Sequence, residues 1–195
     1  MKASLSVQPE LENVNDAIVI KPYQSGDWTA LWQLHAYQLT EQGIVLETKN
    51  IVPCCPDLTS PYERDFHRMD RVYLSDRGNF WIAWKNNQPV GHVGAQDMGD
   101  YIELRRMYVR KMYRRAGIGT QLVGMLIDHC RQHGIRFIKL WTDPDGPGRL
   151  LYKNFYFQEV ENAIGIGDLV HDHRGDPNGT QLIILQYTIM IFSSS

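Results

Sequence analysis

Residues Tyr101 to Thr120 have the sequence YIELRRMYVRKMYRRAGIGT, which changes its pattern half-way along. Its first half, up to Val109, has the aromatic and β-branched residues typical of a strand. After Gly117 the apolar residues recur at helical spacing instead: Ile118, Leu122, Val123, Leu126, Ile127 and Cys130. The change of period predicts a strand that leads, through a short glycine loop, into an amphipathic helix ending at Gly134.

Strands are predicted on both sides of this unit. Residues 80–84 and 90–95 flank Asn86-Asn87, and they predict a hairpin because asparagine tolerates the positive φ angles of a tight turn. Residues 137–141 predict a short buried strand, which makes the strand, helix, strand succession a parallel crossover. The remaining predicted elements are a strand at 17–20, a helix from about Trp28 to Leu39, a short helix start at 61–66, a helix from about Pro147 to Phe155, and strands near 157–166 and 181–191.

These elements predict an α/β fold. We expect a mixed, mostly antiparallel central sheet of about six to seven strands, flanked by helices, in a single domain over residues 1–195. The composition agrees with this, because a chain of 195 residues with 43% hydrophobic and 22% charged residues forms one core without needing disulfides or metals.

Charge and hydropathy exclude several function classes. A net charge of −2 carries no large excess of one sign, so we expect neither nucleic-acid nor membrane binding. The longest apolar runs, such as residues 80–84, are far shorter than the roughly 20 residues of a membrane-spanning helix. The N-terminal stretch has no hydrophobic region typical of a signal peptide. We therefore expect a cytoplasmic protein, monomeric or homodimeric.

The metal-ligating residue types do not form a recognisable site. Cys54 and Cys55 are adjacent, a spacing that suits neither a structural zinc site nor a disulfide framework, and reduced thiols are expected. His171 and His173 flank a single aspartate on a polar loop, which is not a closed ligand set. The expectation is that no metal is bound.

Residues 114–120, Arg-Arg-Ala-Gly-Ile-Gly-Thr, carry the clearest chemistry. The first amides of a helix lack internal partners and lie at the positive end of its dipole. Gly117 and Gly119 remove side chains that would keep a phosphate away from those amides, and the two arginines add charged donors. The segment predicts a phosphate or diphosphate site, with glycines that only serve a turn as the alternative.

Two common phosphate motifs do not fit this segment. A Walker loop has Lys-Ser or Lys-Thr after its last glycine, whereas Gly119 is followed by Thr120 and Gln121. A dinucleotide fingerprint has a third glycine at the position of Leu122. The segment is therefore neither of these loops.

The strand at 101–109, followed by Arg114-x-x-Gly117-x-Gly119, resembles the GNAT superfamily of N-acetyltransferases, whose signature is Arg/Gln-x-x-Gly-x-Gly/Ala. The resemblance extends to residues 151–157, Leu-Tyr-Lys-Asn-Phe-Tyr-Phe, which are similar to the family's closing Leu-Tyr-x-x-x-Gly-Phe. The core of the match covers about residues 79–157, and the predicted order of elements agrees over most of the chain.

The resemblance implies a site for acetyl-coenzyme A, the acyl donor of the family. Its pantetheine arm is expected to pair like an added strand with Met107, Tyr108 and Val109, between the splayed parallel strands at 101–109 and 137–141. The residues expected at its diphosphate are Arg114, Arg115, Ala116, Gly117, Ile118, Gly119 and Thr120.

Three positions depart from the family pattern. Asp145 stands where an asparagine often contacts the cofactor, and we expect it there in that role. Gly148 replaces the usual alanine, and Tyr156 replaces the glycine before the last phenylalanine. The departures concern the contacts of residues 143–156 and leave the diphosphate cradle untouched.

The resemblance also implies two catalytic residues, because direct transfer from a thioester to an amine needs a base and an acid. Glu103 lies fourteen positions before Gly117, where family members with a strand glutamate base carry it. Tyr152 is expected to protonate the leaving thiolate, and a backbone amide near residues 107–109 to stabilise the oxyanion. The alternatives are an ordinary strand glutamate paired with an arginine and a half-buried aromatic.

The function predicted is transfer of an acetyl group from acetyl-coenzyme A to a primary amine by direct attack in a ternary complex. The acceptor pocket is expected from residues 24–70 and 167–180; small amines, amino acids, antibiotics and protein N-termini all fit. Its acidic residues predict either a cationic partner or a solvated face: Glu41, Glu47, Asp57, Glu63 and Asp65. A non-catalytic acyl-coenzyme A binding or sensing module and a nucleotide phosphate binder are the alternative functions.

Overall fold

The computed structural model describes residues 17–43, 65–160 and 183–189, and the strands in these ranges form one seven-stranded sheet. The strands are β1 (Ile18–Pro22), β2 (Asn79–Lys85), β3 (Gln88–Asp97), β4 (Ile102–Val109), β5 (Phe137–Thr142), β6 (Gln158–Glu159) and β7 (Ile183–Thr188). Their order across the sheet is β1-β2-β3-β4-β5-β7-β6. The β4–β5 pair is parallel and the other pairs are antiparallel, which confirms the predicted mixed sheet.

Helices flank this sheet. The α-helices in the described ranges are α1 (Trp28–Glu41), α2 (Met69–Val72), α3 (Ile118–Gln132) and α4 (Gly148–Asn154). Short 3-10 helices lie at Ser25–Asp27, Phe66–Arg68 and Lys111–Tyr113. No helix in the described part of the chain is long and apolar enough to cross a membrane.

The local patterns in the sequence account for these elements. Asn86 and Asn87 adopt φ angles of 50° and 59°, as the tight turn between β2 and β3 requires. The apolar stripe of α3 is buried along its whole length, and Gly134 takes a left-handed φ of 65° after the helix ends. The hairpin, the amphipathic helix and the parallel strand after it are therefore confirmed.

Three predicted elements extend outside the described residues. The strand expected near 181–191 is described as β7, and residues 181–182 and 190–191 are not described. The strand expected near 157–166 is described only as β6, and residues 161–166 lie outside the described ranges. The helix expected to start at 61–66 is described from Asp65 onward, as the 3-10 helix and then α2. Residues 61–64 are not among those described.

The sheet separates two apolar layers. On one face, α3 buries Leu122 and Leu126 against Leu104 of β4 and Ile138 of β5. On the other face, α1 packs against β3, and its fully buried Leu31 shares a cluster with Phe80 of β2 and Tyr108 of β4. Full burial of each such side chain contributes about 1.5–3 kcal/mol to the stability of the fold. Because β4 has side chains in both layers, packing against helices holds it on both faces.

Candidate active site

The parallel strands β4 and β5 part soon after they meet. They pair only at Ile102 with Ile138 and at Glu103 with Lys139, although β4 continues to Val109. The amide of Arg110 donates to Val90 on the β3 side at 3.0 Å. Backbone groups alternate along a strand, so the groups of residues 107 and 109 face the β5 side, where β4 has no strand partner. The predicted splay is confirmed.

A β-bulge sits in β4 beside this gap. The register with β3 runs from Tyr108 opposite His92 to Arg105 opposite Gly94, so Arg106 and Met107 together face one residue of β3. Arg106 has a φ of 53°, in the left-handed region that residues with a side chain rarely adopt. The bulge re-aims the backbone of β4 where it borders the gap.

The start of α3 presents a row of free amides. Gly117 caps the helix with a left-handed φ of 78°, and the first helical bond runs from Gln121 to the Gly117 carbonyl at 3.0 Å. The amides of residues 118–120 therefore have no helical acceptor. Within the described residues, those of 115–117 donate no backbone hydrogen bond either. Together with the helix dipole, this geometry fits an anion such as a diphosphate.

The two arginines of the motif differ in their surroundings. Arg114 donates from Nη2 to Glu41 at 2.8 Å and from Nε to the Val109 carbonyl at 2.8 Å. Glu41, at the end of α1, also accepts from the Lys111 amide at 2.7 Å. Protein groups thus hold the guanidinium of Arg114, and its contact with a phosphate stays a prediction. Arg115 is exposed, with a left-handed φ of 69°.

Gly119 has a different reason to be small than the sequence suggested. A Cβ placed on it would meet Leu151 at 3.2 Å and Met107 at 3.3 Å. Glycine at 119 thus lets the start of α3 approach α4 and β4, rather than clearing the phosphate side. Around it, Ile118 is buried, while Ala116 and Thr120 are exposed. Gly119 thus adds its backbone amide to the row at the start of α3, while its lack of a side chain serves the packing against Leu151 and Met107.

The two predicted catalytic residues lie on opposite faces of the sheet. Glu103 is 2% exposed, and its neighbours Ile102 and Leu104 pack into the α3 layer, so its own side chain faces the α1 layer. Its Oε1 lies 3.6 Å from Nε of Arg105. Tyr152 on α4 belongs to the α3 layer. A substrate in the β4–β5 gap would therefore have Glu103 on the α1 side of the sheet and Tyr152 on the α3 side.

Tyr152 is held by packing. It is 5% exposed, and its ring centroid lies 5.7 Å from that of Phe157. A Cβ on Gly148 would meet the Tyr152 ring at 3.1 Å, which explains why glycine replaces the usual alanine there. Burial raises the pKa of the Tyr152 hydroxyl well above its ordinary value, so the group keeps its proton at neutral pH.

The other two departures lie at the surface. Tyr156 is 82% exposed and has a φ of 63°, a backbone conformation that suits the glycine usually found there. Asp145 is exposed in the loop before α4, and its amide donates to Asp143 at 2.9 Å. It lines a cleft of about 540 Å³ together with Arg149 and Lys153. Its contact with a cofactor stays a prediction.

One acidic residue and one histidine have roles that the sequence did not indicate. Asp65 is 6% exposed and pairs with Arg106, so its interpretation as part of a solvated face is wrong. Glu41 is exposed and pairs with Arg114, and its place at an acceptor site or on a solvated face stays a prediction. Glu47, Asp57 and Glu63 lie outside the described residues. His92, expected to be merely structural, donates from Nδ1 to the Arg106 carbonyl inside the bulge. The available signal in the sequence was the position of His92 inside the apolar run of residues 90–95.

His92 makes stability depend on pH. Burial lowers the pKa of His92 from 6.5 to about 3, helped by the nearby Arg106 guanidinium and opposed by the Arg106 carbonyl and Asp65. Between pH 6.5 and about 3, the unfolded chain binds a proton at His92 that the folded chain does not. The stability contributed by the neutral, buried His92 is therefore complete above pH 6.5 and is lost as the pH falls toward 3. We expect the melting temperature to fall less steeply over that window in His92→Asn. If the melting temperatures of the parent and of His92→Asn fall equally steeply with pH, groups other than His92 cause the sensitivity to acid.

Metal-ligating residues do not cluster in the described ranges: no three His, Cys, Asp or Glu side chains there are placed to hold an ion. Cys130 is buried in α3, and burial raises its pKa to about 12, which keeps the thiol unreactive. Cys54, Cys55, His171 and His173 lie outside the described residues.

Comparison with protein families agrees with this geometry. The model of the acetyltransferase (GNAT) family matches residues 46–155, more than half of the chain. The chain belongs to the GNAT family. The match includes β4, the gap, the start of α3 and α4, so the resemblance noted in the sequence is confirmed.

GNAT relatives and structures extend the comparison. The probable N-acetyltransferase camello of Xenopus tropicalis is 36% identical over 115 residues, which are 56% of this chain and 52% of that protein. The chain thus spans about half the length of the curated relatives it matches.

Two solved structures show the same fold. A GNAT-family acetyltransferase from Staphylococcus aureus Mu50 has a TM-score of 0.66 at 24% identity, over 89% of this chain and 100% of that one. The PaiA N-acetyltransferase from Thermoplasma acidophilum, solved in complex with coenzyme A, has a TM-score of 0.60 at 14% identity, over 89% and 99%. At these identities the likeness concerns the fold.

Proposed function

We propose that this protein transfers an acetyl group from acetyl-coenzyme A to a primary amine of a small molecule or peptide. The observation that carries the proposal is the β4–β5 gap, which opens beside the free amides at the start of α3. A pantetheine arm can add to an unpaired strand edge, and a diphosphate fits such amides. Residues 107–109 would hold the arm, and residues 115–120 the diphosphate. Coenzyme A supplies the acetyl group in activated form, as a thioester.

Glu103 is proposed as the base that prepares the amine. An amine with a pKa of about 10.4 is mostly protonated near neutral pH, so a positioned carboxylate that accepts its proton raises the reactive fraction. Burial of Glu103 on the α1 side and its ion pair with Arg105 support this role, because both keep the carboxylate in one place. The proton can pass directly or through a water.

Tyr152 is proposed as the acid on the other side of the gap. Its hydroxyl keeps its proton at neutral pH, and a departing thiolate is a strong proton acceptor by comparison with bulk water. The packing of its ring against Phe157 supports the role, because a donor has to be held in position.

The direct test is thioester turnover. Purified protein, acetyl-coenzyme A and a panel of amines are combined, and release of the free thiol is followed with a thiol reagent. Amine-dependent release supports the proposal. Binding of acetyl-coenzyme A without release for any amine would favour the alternative of a binding or sensing module, which the exposed Asp145 and Tyr156 leave possible.

Glu103→Gln should lower turnover near pH 7 by ~10²-fold and much less near pH ~9.5, where the free amine is abundant. Glutamine keeps the size of the side chain and loses the proton-accepting carboxylate, so affinity for acetyl-coenzyme A should persist. The measurement is the pH profile of turnover for both proteins.

A matched control is Glu159→Gln on the edge strand β6, where Glu159 is exposed and lies 3.8 Å from Arg149. This variant should keep the parental profile. An equal loss at both pH values in Glu103→Gln would make Glu103 a residue that positions the substrate or supports the strand.

A further inference from the structure

The strained residue of β4 is Arg106. Its left-handed φ of 53° is unfavourable for a residue with a side chain, and such a conformation persists only where its surroundings hold it. It lies immediately before Met107, whose backbone faces the β4–β5 gap. The conformation of the bulge therefore sets the direction of the unpaired backbone groups of Met107 and Val109 beside the gap.

A hydrogen bond from the His92 side chain holds the backbone of Arg106. The carbonyl of Arg106 can only accept, so Nδ1 of His92 carries the proton and donates to it from β3. His92 is completely buried, and its ring lies against Phe66 and Phe80, with centroids 6.0 Å and 5.5 Å away. Burial keeps the imidazole neutral, so this bond does not change over the working pH range.

A second set of contacts holds the side chain of Arg106. Asp65 accepts from Nε at 2.7 Å and from Nη2 through its other oxygen, and the guanidinium lies 4.4 Å from the centroid of Phe66. Asp65 also accepts from the Tyr73 hydroxyl at 2.5 Å. Burial alone would raise the pKa of Asp65, but Arg106 and Tyr73 bring it below its usual value. Arg106 is thus fixed at both its carbonyl and its guanidinium.

We propose that His92 is a positioning residue, which acts through the Arg106 carbonyl to hold the β4 bulge and so aims the backbone of Met107 and Val109 into the gap. The inference deepens the proposed function, in which that backbone receives the acyl donor. Asp65 anchors the other end of Arg106. His92 itself does not touch the reacting groups and takes no proton.

Two substitutions separate this role from general packing. His92→Asn keeps a donor, because the Asn Nδ2 is as many bonds from the backbone as the His Nδ1, but it leaves a cavity. His92→Leu fills more of the space and has no donor. If His92 only fills space, the variant that fills the core better should keep more affinity and turnover. If His92 positions the Arg106 carbonyl, the variant that keeps a hydrogen-bond donor should keep more of both.

We expect His92→Leu to bind acetyl-coenzyme A about tenfold more weakly and to turn over about 10- to 100-fold more slowly, because small misplacements of reacting groups reduce rates steeply. His92→Asn should stay within about threefold of the parent in both. Calorimetry with acetyl-coenzyme A gives the affinity, and thiol release gives the rate, each at a temperature where melting curves show the variant folded.

Amide exchange of Tyr108, followed by NMR without any ligand, reports the bulge itself, because Tyr108 directly follows the bulge and pairs with His92 of β3. Exchange there should accelerate at least tenfold in His92→Leu and remain near parental in His92→Asn. The control is His129→Leu, which removes another histidine bonded to a carbonyl, that of Arg77 at 2.9 Å, but lies on α3 away from the bulge. It should lose stability and keep both the affinity for acetyl-coenzyme A and the exchange rate of Tyr108.

The proposal is overturned if His92→Leu, while folded, keeps parental affinity and exchange, or if both His92 variants change alike. Its failure is distinguishable from failure of the proposed function. If the parent shows no amine-dependent thiol release, the proposed function fails, whereas the exchange rates and the affinity still decide the role of His92.

Discussion

Tyr152→Phe is expected to lower turnover with acetyl-coenzyme A by roughly 10²- to 10⁴-fold, the range typical for loss of a general acid. The substitution removes one oxygen and keeps the ring, which is 5% exposed against Phe157 and Gly148, so stability should change by only about 1 kcal/mol. Without the hydroxyl, the thiolate must leave as an anion. The loss should therefore appear in kcat more than in the affinity for the donor.

The test compares two acyl donors. A thioester with a more acidic thiol needs less help from an acid, so it should recover much of the activity of the variant. The matched control is Tyr187→Phe on β7, whose ring also packs against Phe157, at 5.2 Å, and which should keep its activity. Near-parental turnover of Tyr152→Phe with acetyl-coenzyme A would assign Tyr152 to packing alone.

Gly117→Asp should weaken binding of acetyl-coenzyme A by ~10²- to 10³-fold. A Cβ at this position meets only Gln121, at 4.0 Å, so there is room for a side chain, and aspartate tolerates the left-handed φ of 78° better than most residues do. A carboxylate about 4–5 Å from a phosphate, at an effective dielectric constant of about 20, is repelled by about 3–4 kcal/mol. The same carboxylate is favourable as a helix cap, so the fold should persist.

Gly117→Asn is the control that isolates charge. Asparagine has nearly the same shape, tolerates the same backbone conformation and caps a helix equally well, but it is neutral. Calorimetry should show a modest loss for Gly117→Asn and the large loss for Gly117→Asp, with the difference shrinking at high salt. If the two variants bind alike, the diphosphate does not lie at the start of α3.

The elements that sequence reasoning predicted well depend on residues close together in the chain. The apolar stripe of α3, the Asn86-Asn87 turn and the glycine at 117 each express a local backbone preference, and each is found where it was expected. The row of amides at 115–120 was predictable for the same reason, because one continuous segment forms it.

The interpretation of single side chains succeeded less well. Glycine at 119 reads in the sequence as an opening for phosphate, whereas its neighbours in space are Met107 and Leu151. The sequence suggests Arg114 as a phosphate donor, which stays a prediction, but it does not indicate that Glu41 of α1 pairs with the Arg114 guanidinium. In both cases the residue type was informative, but the partner came from another element that no local pattern identifies.

The sequence alone predicts the order of strands and helices along the chain, the hairpin, the crossover and the unbonded amides at the start of α3. Turn chemistry and hydrophobic period act over a few residues, so a local pattern is enough to indicate each of these features. Three other features come from contacts between segments that are distant in the chain: the point where β4 and β5 part, the faces taken by Glu103 and Tyr152, and the bulge at Arg106. The bulge depends on His92 and Asp65, which lie 14 and 41 positions away from Arg106 in the chain. Contacts at such separations form only when the sheet brings the segments together, and burial then makes a single hydrogen bond or ion pair decisive for the local backbone.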